Sequence, residues 1–400
     1  MSKVLYIVSG RSFVTGHLGR KIAEVIKCWS NNIVSLDVIS GGDNQSKNTN
    51  SVYGAQDHFD KKYRQINWLT PVITSLSELK DILHDISFYF KIKKKFSTSN
   101  HDLIWERSSR LHISGLLYAR KNKIPYVLEW KDNLVNYKFS IFKPLALLVE
   151  RLKVNYANFI VVESEVLKYQ IIELGIQPEK IYVAYNAVDS EEFFLENKGE
   201  SYRKMFNVQS DDVLVGYLGS YAFYHSPALL IEAAEIIKKH SGEINKNIRF
   251  LMVGNGKHYN ETLNLAKNLN LYNVTVFFVD GVKKEDVPEV LSELDIAVLP
   301  GSTDIICPIK IFEYMAAKKA VLLPDYQCNK EIVEDNFDGQ MFIPLDANDL
   351  ANKIMKLTND DFLREKIGLN AQNKVIESFT WENTWGKVMS NILKEIKREL

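Results

Sequence analysis

The chain alternates short apolar runs with amphipathic stretches along nearly its whole length. Val4 to Ser9 reads as a first strand, and SGRSFVTGHLG turns it into a helix whose Ile22, Val25, Ile26 and Trp29 share one face. Asn31 to Ser40 predicts a second strand, followed by the polar loop GGDNQSKNTN. A helical pattern over 76–96 ends in KIKKKF. LIWE (103–106) and PYVLEW (125–130) read as strands, with a helix SGLLYARK between them. FIVVES (159–164), a helix through ELGI, and KIYVAYNAVD (180–189) complete the first series. Continuous apolar runs suit parallel strands buried on both faces, and their alternation with helices predicts a doubly wound α/β domain.

Residues 190–212 are polar and read as a connection, after which the alternation repeats. VLVGYLGS, a helix over 228–239, IRFLMVGNG, a helix over 260–269, VTVFFV and a helix over 284–294 lead into DIAVLPGSTDIICPIKIFEYMAAKKAVLLP (295–324). AVLLPD, QMFIP and a helical tail follow, and SFTWENTWGKVMSNILKEIKREL ends the chain as an amphipathic helix. A chain of 400 residues is long for one core. The expected division is residues 1–195, residues 196–375, and a terminal helix over 376–400 that packs back towards the first domain.

The stretch 295–324 carries the strongest chemical signal. Ile296 to Leu299 suits a buried strand, a small-residue loop follows, and Pro308 stands just ahead of a helix. Strand, loop and helix N-terminus in that order place unpaired N–H groups and a positive dipole end at the carboxyl edge of a sheet. Open α/β sheets bind anions there. Lys310 and Glu313 fall in the first turns of that helix. Near the N-terminus, Gly16 and Gly19 allow close backbone approach, but GRSFVTGHLG lacks the GxGxxG spacing of a dinucleotide site.

Lys+Arg and Asp+Glu both number 50, so bulk nucleic-acid binding is not indicated. Residues 1–195 hold 26 basic and 20 acidic residues, which leaves the first half positive and the second negative. Cys28, Cys307 and Cys328 have no paired spacing, so neither a disulfide framework nor a zinc site is expected and a reducing cytosol fits best. MSKVLYIVSG is too short in apolar residues for a signal-peptide core, and no run approaches the roughly 18–20 residues of a membrane span. Two basic, apolar-rich stretches, 88–96 and 135–153, are candidates for contact with an anionic lipid surface.

Taken together, VVESEVLKYQIIELGIQPEKIYVAYNAVDSEEF, VGYLGSY with LLIEAA, FLMVGNG, LSELDIAVLP and PIKIFEYMAAKKAVLLPD resemble the retaining glycosyltransferases of family 4. The PIKIFEYMA form and LEWKD are similar to a subgroup that builds bacterial cell-surface polysaccharides. The resemblance implies the GT-B fold, two Rossmann-like domains facing across a cleft. It implies a nucleoside-diphosphate sugar as donor, UDP favoured, and a glycan or lipid-linked acceptor. No cofactor and no metal are implied, and the expected place of work is the cytoplasm, with the inner face of the cell membrane as a further expectation.

The resemblance also assigns residues. Glu313 matches the glutamate that accepts hydrogen bonds from ribose hydroxyls, and Lys310 adds charge at the diphosphate. Backbone N–H groups around Ile306, Cys307, Pro308 and Ile309 meet diphosphate and sugar. Gly254, Gly256, Gly281 and Val282 frame base and ribose, and Gly16 faces the diphosphate from the first domain. Lys131 and Asp132 stand where many relatives carry a histidine near the donor sugar, whereas Glu129 is read as structural. Three departures stand out. Ile305 replaces a motif glutamate, with Asp304 as the nearest carboxylate. Ser220, one residue after Gly219, and His225 replace an Arg and a Lys that often grip the diphosphate. A degenerate, non-catalytic binding partner is therefore one alternative. A GT-B sugar-nucleotide epimerase is the other, although no HRREN-type stretch occurs.

Overall fold

In the computed structural model the apolar runs become two six-stranded sheets, and each neighbouring strand pair is parallel. The structure describes residues 1–11, 19–31, 33–42, 70–130, 140–194 and 199–399. Of these, the residues up to Tyr185 and from Trp381 onward form one compact unit, and Asn186–Thr380 form the other.

The first unit runs β1 (Lys3–Val8), α1 (Arg20–Ser30), β2 (Ser35–Ser40), α2 (Thr70–Lys95), β3 (Leu103–Arg107) and α3 (Ser114–Asn122). It continues with β4 (Tyr126–Glu129), α4 (Lys143–Tyr156), β5 (Phe159–Val162), α5 (Glu165–Glu173) and β6 (Ile181–Val183). Strand order is β2-β1-β3-β4-β5-β6. Helix α2 starts at Thr70, six residues ahead of the pattern expected from 76. Within 88–96, Phe88, Ile92 and Phe96 are buried while Phe90 is exposed, so most apolar residues of that stretch belong to the core. Residues 135–139 of the other basic stretch lie outside the described residues.

The C-terminal segment is stitched into this unit by tryptophan. Trp29 packs edge-on against Trp105 at 4.6 Å and lies 6.3 Å from Trp385. Trp29 Nε1 donates to the Trp385 carbonyl, and Trp385 Nε1 donates to the carbonyl of Tyr185. Both indole N–H groups are thus satisfied in the core, as buried tryptophans require. Trp385 sits in a π-helical turn over Glu382–Gly386, so the final helix begins only at Lys387.

The second unit holds a 3-10 turn (Ser190–Phe193) and a short helix, α6 (Ser201–Met205), inside the segment read from sequence as a polar connection. That reading is corrected: Glu293 accepts from the N–H groups of Tyr202 and Arg203, and Arg203 pairs with Asp295 at 2.5 Å. The segment is polar because its partners are charged residues far along the chain. Next come β7 (Val213–Leu218), α7 (Pro227–Lys239), β8 (Ile248–Val253), α8 (Tyr259–Asn268), β9 (Val276–Val279) and α9 (Val287–Glu293). Then follow β10 (Ile296–Val298), α10 (Ile309–Ala316), β11 (Ala320–Pro324), α11 (Gln327–Lys330), β12 (Gln340–Phe342), α12 (Ala347–Asn359) and α13 (Asp361–Ser378). Strand order is β12-β11-β10-β7-β8-β9, the Rossmann order read from its far edge. Val215, Tyr217, Phe250, Met252 and Leu322 of the sheet pack with Leu230, Ile231 and Ile354 of the helices to form its core.

Candidate functional site

Strand order locates the site of the second unit. The sheet grows outward in both directions from β7 and β10, which are neighbours in the sheet. Connections leaving the two strands diverge to opposite faces, and a crevice opens beyond their carboxyl ends. Gly219 and Ser220 follow β7 at this point, and the loop 299–308 follows β10.

Pro308 is the N-cap of α10, with φ −70° and ψ 149°. The first N–H groups of a helix lack intrahelical acceptors and carry its positive dipole end. Two contacts hold the loop and helix in register. Asn186 Nδ2 donates to the Cys307 carbonyl at 2.9 Å. The buried Tyr314 hydroxyl accepts from the Leu218 N–H and donates to the Leu218 carbonyl, at 3.0 and 2.9 Å. Helix α10 is thereby fixed to the end of β7.

Lys310 is the centre of this arrangement. Only 8% exposed, its Nζ lies 3.1 Å from His225 Nε2 and 5.1 Å from the centre of the Tyr217 ring. The His225 Nδ1 atom lies 3.2 Å from the Gly301 carbonyl, so it carries the proton and Nε2 accepts from lysine. Burial lowers the Lys310 ammonium to about 7. His225 is lowered to about 3, first by burial and then by the Lys310 charge, against a smaller opposing effect of Gly301. His225 is therefore a neutral acceptor that orients Lys310. Among the described residues no carboxylate is in ion-pair contact with Lys310.

Two glycines stand around the ammonium, and an added side chain would act differently at each. At Gly219 a Cβ would collide with Lys310 Nζ. Gly254 has φ +132°, and a Cβ there would strike the Gly219 carbonyl. The N–H of Gly219 donates to Val253 and that of Gly254 to Val279, so the ends of β7, β8 and β9 are laced together.

The remaining residues assigned from sequence distribute unevenly. Cys307 is buried, and Ile306, Pro308 and Ile309 are half-buried along the approach to α10. Glu313 is fully buried one turn beyond Lys310. Gly256 follows β8, and Gly281 and Val282 lie half-buried after β9. Ser220 is half-buried, and its carbonyl accepts from the Tyr217 hydroxyl at 2.5 Å. Asp304 is exposed. Gly16, Lys131 and Asp132 lie outside the described residues. Sequence reading passed over Asn186, Tyr217, Gly301 and Tyr314. Tyr314 beside the apolar residues of IKIFEYMA was the one available signal, because a buried hydroxyl needs partners.

The first unit carries its own charged cluster, at the carboxyl ends of β3, β4 and β5. Glu129 is fully buried, pairs with Arg107, and accepts from Tyr6 at 3.0 Å and Trp105 at 3.1 Å. Glu163 pairs with Lys21 at 2.6 Å and lies 3.8 Å from Arg107. Burial lowers Lys21 to about 7, opposed by the Glu163 charge.

A model of glycosyl transferases group 1 matches residues 199–374, and a model of glycosyltransferase family 4 matches residues 23–192. A UDP-Gal:alpha-D-GlcNAc-diphosphoundecaprenol alpha-1,3-galactosyltransferase of Escherichia coli is 24% identical, over 81% of this chain and 82% of that protein. An N,N'-diacetylbacillosaminyl-diphospho-undecaprenol alpha-1,3-N-acetylgalactosaminyltransferase of Campylobacter jejuni is 22% identical, over 80% and 85%. A glycosyltransferase from Rickettsia africae superposes with a TM-score of 0.72 at 19% identity, covering 100% of this chain and 99% of its own. Anabaena HepE in complex with UDP and glucose superposes at 0.66 with 16% identity, covering 100% of both chains. The two family matches run through both units in the order their sheets follow, and the chain belongs to the family 4 glycosyltransferases of the GT-B fold.

Proposed function

We propose that this glycosyltransferase moves a sugar from a nucleoside-diphosphate sugar, a UDP-sugar, to a glycan or lipid-linked acceptor of bacterial surface polysaccharide, with retention and without a metal. The carrying observation is Lys310, a buried cation with no acidic partner among the described residues, at a helix N-terminus on the switch point of the sheet. The donor class draws support from the Escherichia coli relative, whose name specifies UDP-Gal, and from HepE, seen with UDP. Both named relatives take undecaprenol-linked substrates, which supports the acceptor class.

In this reading the donor diphosphate lies against the N–H groups of α10, with Lys310 at its oxygens. The bond from the anomeric carbon to the diphosphate breaks, and charge builds on the leaving group. Donors fixed in place beforehand stabilise that charge without reorganising. The acceptor hydroxyl forms the new bond on the same face, and its proton passes to the departing phosphate oxygen. Glu313 accepts from two vicinal ribose hydroxyls, which requires the donor to displace whatever covers its carboxylate. Water excluded from the site spares the donor from hydrolysis.

A thermal-shift screen with UDP, GDP, ADP, CMP and dTDP tests the reading. A ligand at 100 times its dissociation constant stabilises the native state by about 2.7 kcal/mol. UDP is expected to raise the melting temperature and Glu313→Ala to lose that rise. Binding of UDP without transfer or donor hydrolysis would leave a nucleotide-binding partner in place of an enzyme.

A further inference from the structure

Two histidines face each other at the carboxyl edge of the first sheet. His84 comes from α2 and His112 from the loop between β3 and α3. The Nε2 atom of His84 lies 2.7 Å from the Gly41 carbonyl, just beyond β2. The Nδ1 atom of His112 lies 2.8 Å from the Arg110 carbonyl. A carbonyl only accepts, so each of these nitrogens carries a proton. The two nitrogens left over, His84 Nδ1 and His112 Nε2, stand 3.2 Å apart. The ring centres are 5.5 Å apart, which matches that gap plus one ring radius at each end, so the two nitrogens point at each other. Were both rings neutral, two lone pairs would meet there. One further proton turns the contact into a hydrogen bond.

The surroundings decide which ring holds that proton and what answers its charge. His112 is buried, and burial lowers it below the usual histidine value. The His84 charge adds to this, against raising effects of Asp85, the Arg110 carbonyl and Asp81. His112 is therefore the neutral acceptor and His84 the imidazolium. Asp85 is buried and, among the described residues, pairs with no lysine or arginine. Its oxygens accept from the Ile113 and Ser114 N–H groups at 2.9 and 3.3 Å. The other charges nearby are already answered. Arg11 beyond β1 holds Asp81, and Arg110 holds Glu78. Lys91 reaches the Ser40 carbonyl of β2, and burial raises Glu106 of β3 to about 7. The histidine pair is thus left as the counter-charge of Asp85.

We propose that His84 and His112 hold one proton between them, and that this proton latches α2 to the loops that follow β2 and β3. A Cβ on Gly41 would strike both the Gly10 carbonyl and the His84 ring, so the ends of β1 and β2 meet under this histidine. Doubly wound sheets receive their ligands beyond this edge, so the latch sets the shape of a ligand-facing rim. An unfolded chain gives both histidines the ordinary value of about 6.5. The native pair binds its shared proton more tightly than that, so the latch weakens as pH rises above about 6.5. Because His112 is lowered, the unfolded chain takes up a proton below about 6.5 that the native pair does not. A second proton would also leave two donors facing each other. The latch therefore stabilises most near its middle and loses on both sides. A metal held by both nitrogens would sit off the line that joins them. Among the described residues, no group of three His, Cys, Asp or Glu could hold one.

Two measurements on the full chain test the latch, and neither needs donor or acceptor, so the result is independent of the transfer reaction. Long-range proton–nitrogen correlation spectra of protein labelled with 15N-histidine, taken at pH 7, report the protonation of each ring nitrogen. Single His84→Gln and His112→Gln variants assign the signals. His84 is expected with both nitrogens protonated, and His112 as the neutral Nδ1–H tautomer. A neutral His84, or a His112 protonated at Nε2, would overturn the proposal. So would signals of this pair that shift when zinc chloride is added, which would mark a metal site instead. Urea denaturation then compares the wild type with the double variant, whose glutamines keep hydrogen-bonding groups but have no proton to lose. The ratio of their folding constants is expected to peak near about pH 6.5 and to fall at least about threefold by pH 5 and by pH 8.5. A ratio that does not change with pH would leave the histidines a packing role and end the proposal.

Discussion

Two charged groups sit at the carboxyl ends of the two sheets, and they differ in one respect that decides what each does. In the first unit Arg107 and Lys21 face Glu129 and Glu163, and two further donors, Tyr6 and Trp105, complete Glu129. Its charges are answered from within. In the second unit Lys310 is as deeply buried, yet its neighbours are a neutral histidine, a tyrosine face and glycine backbone. The fold bears the desolvation of a cation there and supplies no anion. A balanced buried pair is architecture, whereas an unbalanced one is a place prepared for a ligand of opposite sign.

The sharpest way to break this contrast is to remove one charge from each group. Glu129→Ala leaves Arg107 buried without its carboxylate and is expected to cost about 3–5 kcal/mol of stability, read by urea denaturation. Lys310→Met should do the reverse: stability at neutral pH held or raised, and sugar transfer lowered about 100-fold to 1,000-fold in steady-state kinetics. Equal destabilisation by both substitutions would erase the distinction. A smaller effect is expected for His225→Ala. It removes the acceptor that orients Lys310, so turnover should fall about tenfold, about 1.4 kcal/mol, with partial recovery in His225→Asn, and nucleotide affinity should change less than turnover.

Much of this fold was legible because parallel strands buried on both faces leave continuous apolar runs such as Val213–Leu218. The stretch 295–324 could be read as strand, loop and helix because Pro308 marks the helix start. Contacts between residues far apart in the chain were not legible. Nothing local ties Arg203 to Asp295, Trp29 to Trp385, or His225 to Lys310. The basic, apolar-rich stretch over 88–96 misled for another reason: the pattern does not say which face meets the sheet, and Phe88, Ile92 and Phe96 turn into the core.

The central claim is that the Lys310 site awaits an anion, and proton linkage tests it directly. Free Lys310 sits at about 7, so at pH 8 it is mostly neutral. A bound diphosphate favours the ammonium and raises that value, so binding must take up a proton and weaken as pH rises above 7. Calorimetric titration of UDP at pH 8 in HEPES and in Tris, which ionise with different enthalpies, counts the protons. The account predicts uptake approaching one proton by the wild-type chain and none by Lys310→Met. Equal heats in the two buffers for the wild type, or unchanged uptake in the variant, would contradict it.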